Sequence, residues 1–199
     1  MDRERKIFAV TLWGGLVNVL LLAFKFIAGI LGHSAAMVAD AVHSLSDLAT
    51  DVVVLIFVRI SGKPQDASHD YGHGKYETLA CTIIGIALLA VAGGIIWEGG
   101  CNIFRWLSGE QLPAPGMLAL WAALVSIVLK ELTYRYTSFW SRRTESDALK
   151  ANALHHRSDA LSSIGTALGI GGAILLGERW TVLDPLASVI VGFVILVLS

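Results

Sequence analysis

Charged side chains are scarce in this sequence. Asp, Glu, Lys and Arg make up 16% of the 199 residues, against about 25% in a typical soluble domain. Apolar residues reach 55%, and the mean hydropathy is +0.66. A soluble domain of this length needs more polar side chains than this to cover its surface. The composition therefore excludes an ordinary soluble domain and a disordered chain.

An excess of basic charge is also missing, and cysteine is rare. The formal net charge is −1 and there is no basic tail, which excludes a nucleic-acid-binding module. The two cysteines, Cys81 and Cys101, fall in one apolar stretch and do not form a disulfide framework. The features that remain to be interpreted are long apolar runs and a small number of polar residues within them.

Six apolar segments approach or exceed the length of about 20 residues that a spanning helix needs. Turn-forming residues separate them: Pro113 and Pro115 precede the fourth segment, and Asp184 and Pro185 lie at the start of the sixth. The sequence therefore predicts an all-α integral membrane protein, a bundle of six transmembrane helices. The predicted helices cover about 7–31, 34–60, 76–107, 116–140, 146–177 and 183–199.

Basic residues are concentrated in alternate loops. They precede the first segment and flank the second-to-third and fourth-to-fifth loops, whereas the other loops hold only Arg105 and Arg179. Because cytoplasmic loops carry the excess of Lys and Arg, we expect both termini to lie in the cytoplasm. The basic residues on the predicted cytoplasmic side are Arg3, Arg5, Lys6, Arg59, Lys63, Lys75, Arg142, Arg143 and Lys150.

Two of the segments contain the pattern His-x-x-x-Asp. The second segment has His43 and Asp47, and the fifth has His155 and Asp159. In an α-helix, residues i and i+4 share a face and lie about 6 Å apart along the axis. An ionised group at mid-membrane costs about 2.5–3.5 kcal/mol even on the lenient insertion scale, so such groups persist where they pair, face water or bind an ion.

If the two helices face each other, these four side chains supply two imidazole nitrogens and two carboxylates. That is a tetrahedral set of Zn²⁺ ligands, and the two carboxylates neutralise the charge of the ion. The alternative is a set of interhelical hydrogen bonds that holds the bundle together. One such pair leaves both interpretations open, whereas two identical pairs on separate helices favour the metal site.

Several polar residues near these pairs have less specific interpretations. His156 and Arg157 lie off the shared face, and we expect them to contact solvent or lipid headgroups. Asp40 and Asp51 continue the polar stripe of the second helix, where they either steer cations or cap and hydrogen-bond. Lys130 lies in an apolar stretch, where it pairs or extends to the interface, and it has no assigned role.

The loop between the second and third segments is a second cluster of metal-ligand residue types. Asp66, His69 and His73 lie within eight residues of one another, among glycines that let the backbone fold around an ion. Water-exposed His and Asp cost little, so an ordinary polar loop is the alternative. The residues alone leave both interpretations open.

Over essentially its whole length the sequence resembles the cation diffusion facilitators, a family of transporters for zinc and related divalent metals. The resemblance is carried by Ala-Asp-Ala-Val-His-Ser-Leu-Ser-Asp at 39–47, Tyr-Gly-His-Gly-Lys at 71–75 and His-His-Arg-Ser-Asp at 155–159. It implies a Zn²⁺/H⁺ antiporter that exports zinc from the cytoplasm by alternating access, usually as a homodimer in the lipid bilayer. The implied central site is His43, Asp47, His155 and Asp159, and the implied accessory zinc site is Asp66, His69 and His73.

Two departures from the family pattern bear on domain organisation. The family usually continues into a cytoplasmic α/β domain, whereas this chain stops at Ser199 inside an apolar run, so we interpret 1–199 as the transmembrane domain of a longer protein. The long His-rich loop of many eukaryotic members is also missing, since only about 141–145 separates the fourth and fifth helices. This favours a prokaryotic-type protein of the inner (cell) membrane.

Two other functions compete with transport. A membrane metal sensor, or a fragment that binds metal without moving it, needs the same ligands, and only flux separates it from a transporter. An intramembrane metalloenzyme is disfavoured because His-Glu-x-x-His is absent and the chain has only six histidines. We therefore expect a transporter rather than an enzyme.

Overall fold

The computed structural model describes residues 2–61 and 74–198. Within these ranges the chain is all-helical, as predicted, with a 3-10 turn at Glu178–Trp180 and no strand. The long helices are α1 (Asp2–Leu31), α2 (Ala35–Ser61), α3 (Gly74–Leu107), α4 (Met117–Thr144), α5 (Asp147–Leu175) and α6 (Leu183–Leu198).

Most of the predicted helix ends agree with these bounds within a few residues, and the larger differences lie at charged ends. Helix α1 begins at Asp2, before the predicted residue 7, and α4 continues past residue 140 to Thr144. The added turns carry basic residues, including Arg142 and Arg143 in α4. Hydropathy detects the apolar part of a helix and misses turns that extend beyond it.

Five stretches of the described residues are long and apolar enough to cross a membrane. Four of them lie in α1, α3, α4 and α5, and the fifth covers the 3-10 turn and most of α6. The stretches are Arg5–Leu31, Gly85–Leu107, Met117–Thr144, Asp147–Leu175 and Glu178–Val197. Large apolar side chains such as Trp97, Phe104 and Leu168 are exposed on the outside of the bundle. An apolar exterior of this kind suits a lipid environment better than water.

Helix α2 occupies the middle of the bundle, in contact with α1, α3, α5 and α6. Small residues permit the close packing around it, among them Ala28, Ala36 and Ala119. Gly169 of α5 has the same role against α6, because a Cβ at this position would overlap Ala187. Polar side chains on α2 and α5 are therefore enclosed by protein as well as by the surrounding bilayer.

The start of α2 is held by a carboxylate from α6. The Ser34 hydroxyl donates a hydrogen bond of 2.5 Å to Oδ1 of Asp184, and the backbone N–H of Ala35 donates one of 2.7 Å to Oδ2. An acidic group at a helix N-terminus satisfies free N–H groups and suits the helix dipole. This contact anchors α2, and with it His43 and Asp47, against α6.

Candidate metal centre

Packing of α2 against α5 brings three of the four predicted ligands together. His43, Asp47 and Asp159 each offer a ligand atom, and these atoms all lie within 4.8 Å of one another. Nε2 of His43 is 3.9 Å from Oδ2 of Asp47, as the i, i+4 spacing requires. His43 and Asp159 are buried and Asp47 is partly buried. The cluster offers one imidazole nitrogen and two carboxylates to a cation.

The fourth predicted ligand, His155, lies at the edge of this group. Its Nε2 is 3.8 Å from Oδ2 of Asp159, while its side chain is 37% exposed. It is not one of the residues whose ligand atoms all lie within 4.8 Å of one another. The two predicted pairs are therefore neighbours, and the compact part of the cluster contains only one of the two imidazoles.

A lysine from α4 also enters the site. Nζ of Lys130 is 2.5 Å from Oδ2 of Asp159, and the two side chains are only 3% and 6% exposed. The sequence allows two interpretations of Lys130, pairing or extension to the interface, and pairing is observed. A buried ammonium is costly in an apolar bundle unless a carboxylate lies nearby. This cost is the signal from which a pairing of Lys130 could have been predicted.

A second buried ion pair lies next to the cluster. Nζ of Lys25 on α1 is 2.7 Å from Oδ2 of Asp40 on α2, and both side chains are 1% exposed. The ammonium also donates to the hydroxyls of Ser44 at 3.1 Å and Ser163 at 3.2 Å. Ser163 in turn donates to Oδ2 of Asp40 at 3.2 Å. Of the two interpretations of Asp40, hydrogen bonding is observed, together with an ion pair to Lys25 that was not predicted from the sequence.

The expectation that His156 contacts solvent or headgroups is wrong. Its side chain is 1% exposed and lies next to α1, where a Cβ on Gly14 would be 3.1 Å from Nε2. Helix α5 is packed by both α2 and α4, so two consecutive residues on it can face protein. Arg157, by contrast, is exposed and donates a hydrogen bond of 3.1 Å to the Tyr134 hydroxyl.

Comparison with known proteins gives the family. Residues 12–199 match the family described as the cation efflux transmembrane domain. The chain belongs to the cation efflux family. The resemblance to cation diffusion facilitators is thereby confirmed.

Relatives of this cation efflux domain occur in bacteria and plants. It is 36% identical to the manganese efflux system protein MneP of Bacillus subtilis (strain 168) over 202 residues, which cover 100% of this chain and 66% of that protein. It is 37% identical to the magnetosome protein MamM of Paramagnetospirillum magneticum, covering 87% of this chain and 53% of that protein. It is also 37% identical to metal tolerance protein C1 of Arabidopsis thaliana, covering 98% and 42% respectively. The chain thus spans between 42% and 66% of the length of these relatives.

The remaining predicted site residues of this cation efflux domain lie outside the described part of the chain. Asp66, His69 and His73 fall between α2 and α3, beyond the described residues. The side chain of Asp51 is likewise outside them. The accessory loop site and a role for Asp51 stay predictions.

Proposed function

We propose that this chain is the transmembrane part of a divalent cation transporter that exports Zn²⁺ in exchange for protons. The observation that carries the proposal is the convergence of His43, Asp47 and Asp159 between α2 and α5. Two carboxylates and an imidazole inside a membrane bundle are costly unless they pair or bind an ion. Membership of the cation efflux family supports the same function.

In the proposed loaded site, His155 joins the three converging residues as the fourth ligand. Its Nε2 already lies 3.8 Å from Oδ2 of Asp159. Zinc binds nitrogen and carboxylate oxygen at about 2.0–2.2 Å, so the ligands must close around the ion. Asp66, His69 and His73 are proposed to form an accessory zinc site in the loop before α3.

Proton exchange follows from the chemistry of these ligands. A metal binds deprotonated imidazole and carboxylate, so loading releases protons and acidification expels the ion. An imidazole in water has a pKa of about 6.5, close to the pH range of cells. Competition between protons and metal for one set of ligands is sufficient for antiport by alternating access.

The proposed membrane arrangement has six spanning helices, with both termini in the cytoplasm of a prokaryotic cell. Nε of Arg3 donates a hydrogen bond of 2.7 Å to the carbonyl oxygen of Thr144, so the start of α1 and the end of α4 lie at one end of the bundle. Arg142 and Arg143 lie at the same end. This concentration of basic charge supports a cytoplasmic location for that end. The proposed assembly is a homodimer in the inner membrane.

Manganese is a second candidate cargo. The compact cluster has one nitrogen and two carboxylate ligands. Carboxylates suit Mn²⁺, whereas imidazole suits Zn²⁺ better. A relative at 36% identity is named a manganese efflux system protein. Participation of His155 is therefore the feature that separates the two cargoes.

The test of the proposal is metal flux in proteoliposomes with an acidic lumen. Wild-type protein is expected to accumulate Zn²⁺ in proportion to the imposed pH gradient, and Asp159→Ala to abolish this flux. Glu131→Gln is the matched control, because Glu131 pairs with Arg135 on the bundle exterior at 2.7 Å. Full flux in Asp159→Ala contradicts the site. Metal binding without flux in the wild type favours the sensor or fragment instead.

A further inference from the structure

Lys130 places a positive charge on a carboxylate that the proposed metal site needs. Its Nζ lies 2.5 Å from Oδ2 of Asp159. The candidate ligand His155 approaches the same oxygen at 3.8 Å. Zinc would require a carboxylate oxygen at about 2.0–2.2 Å. The ammonium and a divalent ion therefore compete for one carboxylate.

Charge balance distinguishes the empty cluster from a loaded one. With neutral imidazoles, the carboxylates of Asp47 and Asp159 carry −2 and the ammonium of Lys130 carries +1, so the empty cluster has a net charge of −1. A divalent ion brings the two carboxylates to neutrality. If the ammonium stayed in contact, the loaded cluster would be cationic, and two cations would repel each other in a medium of low dielectric constant.

The two buried lysines differ in how firmly they are held. The ammonium of Lys25 has a carboxylate and two hydroxyl partners. Among the described residues, Lys130 has a single hydrogen-bond partner, Asp159. Oδ2 of Asp47, in the same cluster as Asp159, has no hydrogen-bond partner among the described residues. The Lys25 pair is fully satisfied, whereas the Lys130 pair depends on one contact that a metal can replace.

Buried polar groups without a hydrogen-bond partner lie on α4, the helix of Lys130, and on the neighbouring α5. Ser126 and Thr137 lie one turn before and two turns after Lys130 on α4, and their buried hydroxyls have no hydrogen-bond partner among the described residues. Both ring nitrogens of the buried His156 are likewise unpartnered. The side chain of His156 lies next to Gly14 of α1, and so does that of Thr133, which follows Lys130 by three residues on α4. These unpartnered groups are candidate acceptors for an ammonium that moves off Asp159 within the protein interior.

From these observations we infer that the ammonium of Lys130 competes with the transported cation for the carboxylate of Asp159. This ammonium neutralises Asp159 in the empty site and moves off this carboxylate when a divalent cation binds. Lys130 thus sets the affinity of the site from outside the ligand set. The inference rests on the proposed function, since it concerns the same central site.

The experiment measures Zn²⁺ affinity by calorimetry, and thermal unfolding with and without Zn²⁺, on the full chain in detergent. Lys130→Met removes the charge and keeps the length of the side chain. We expect it to unfold at a lower temperature without metal, because Asp159 loses its cation. We expect its affinity for Zn²⁺ to rise at least tenfold, with a larger stabilisation by metal.

Two further variants separate competition from a structural role. Lys25→Met removes the other buried ammonium, which does not contact Asp159, so it should lower metal-free stability while raising Zn²⁺ affinity much less than Lys130→Met does. Lys130→Arg keeps the charge and can bind a carboxylate through two N–H groups, so it should bind Zn²⁺ more weakly. This second Lys130 variant keeps the test decisive if Lys130→Met does not fold.

The outcomes distinguish this inference from the proposed function. If wild type and Asp159→Ala bind Zn²⁺ equally, or neither binds, the proposed site and the competition both fail. If Asp159→Ala alone loses Zn²⁺ binding at the central site, but Lys130→Met binds there no more tightly than wild type, only the competition fails. Unchanged or tighter binding in Lys130→Arg also overturns it. A structural Lys130 would lower stability and affinity together in Lys130→Met.

Discussion

Removing the charge of Lys25 should destabilise the bundle strongly. Lys25 and Asp40 are each 1% exposed, and the ion pair measures 2.7 Å. In Lys25→Met the Asp40 carboxylate keeps a hydrogen bond from Ser163 but loses its cation. Breaking one side of a buried pair costs about 3–5 kcal/mol, because the other charge stays buried without compensation.

A second substitution should recover much of this loss. In Lys25→Met with Asp40→Asn, no charge remains at the pair, and the hydroxyl of Ser163 remains beside the amide. Replacing both partners of a buried pair is often close to neutral, so we expect a residual cost of about 1–2 kcal/mol. The double-mutant cycle should therefore give a coupling energy of at least about 2 kcal/mol.

The assay is reversible unfolding by sodium dodecyl sulfate, followed by the fluorescence of the six tryptophans. Wild type, the two single variants and the double variant complete the cycle. Arg135→Met is a control, because Arg135 pairs with Glu131 on the exterior and its side chain is 73% exposed. A Lys25→Met cost no larger than that of the control, or a double variant no more stable than Lys25→Met, would refute the proposed origin of stability.

The other predictions concern the cluster and the anchor of α2. His155→Ala should weaken Zn²⁺ binding by at least tenfold and Mn²⁺ binding less, because it removes an imidazole; unchanged affinity for Zn²⁺ in calorimetry would exclude His155 as a ligand. His43→Asp should reduce the preference for Zn²⁺ over Mn²⁺, and unchanged relative affinities would count against His43. Zn²⁺ affinity should fall between pH 7.5 and pH 6, because protons compete for the ligands, and a flat titration would contradict metal–proton exchange. Asp184→Ala should cost about 1–3 kcal/mol in detergent unfolding, because the Ser34 hydroxyl and Ala35 N–H lose their acceptor.

The helical fold was open to prediction from sequence because its signal is local. Long apolar segments separated by Gly, Pro and Asp indicate helices with little ambiguity, and the i, i+4 spacing places His43 beside Asp47 whatever the tertiary structure. The convergence of Asp159 with this pair is a tertiary contact. It was predictable only on the condition that α2 faces α5.

The lysines and His156 show what such patterns omit. Which carboxylate Lys130 contacts depends on how α4 packs beside α5, and the pairing of Lys25 with Asp40 depends on how α1 packs beside α2. His156 was misassigned because a helix enclosed by several neighbours buries more than one face. These errors share a cause, since a one-dimensional pattern specifies which residues share a helix face but not how many faces are covered.

The charge of Lys130 bears on a requirement of the proposed transport cycle. The proposed antiport cycle passes through a metal-free state in every turnover, and buried carboxylates are costly to leave without a proton or a cation. Lys130 lowers this cost at Asp159, while Asp47 keeps the empty cluster negative enough to attract a divalent ion. The same ammonium competes with the bound metal and so limits affinity. Very tight binding slows the release of the metal. A competitor inside the protein weakens binding and so permits turnover, whereas an additional ligand would tighten binding and slow turnover.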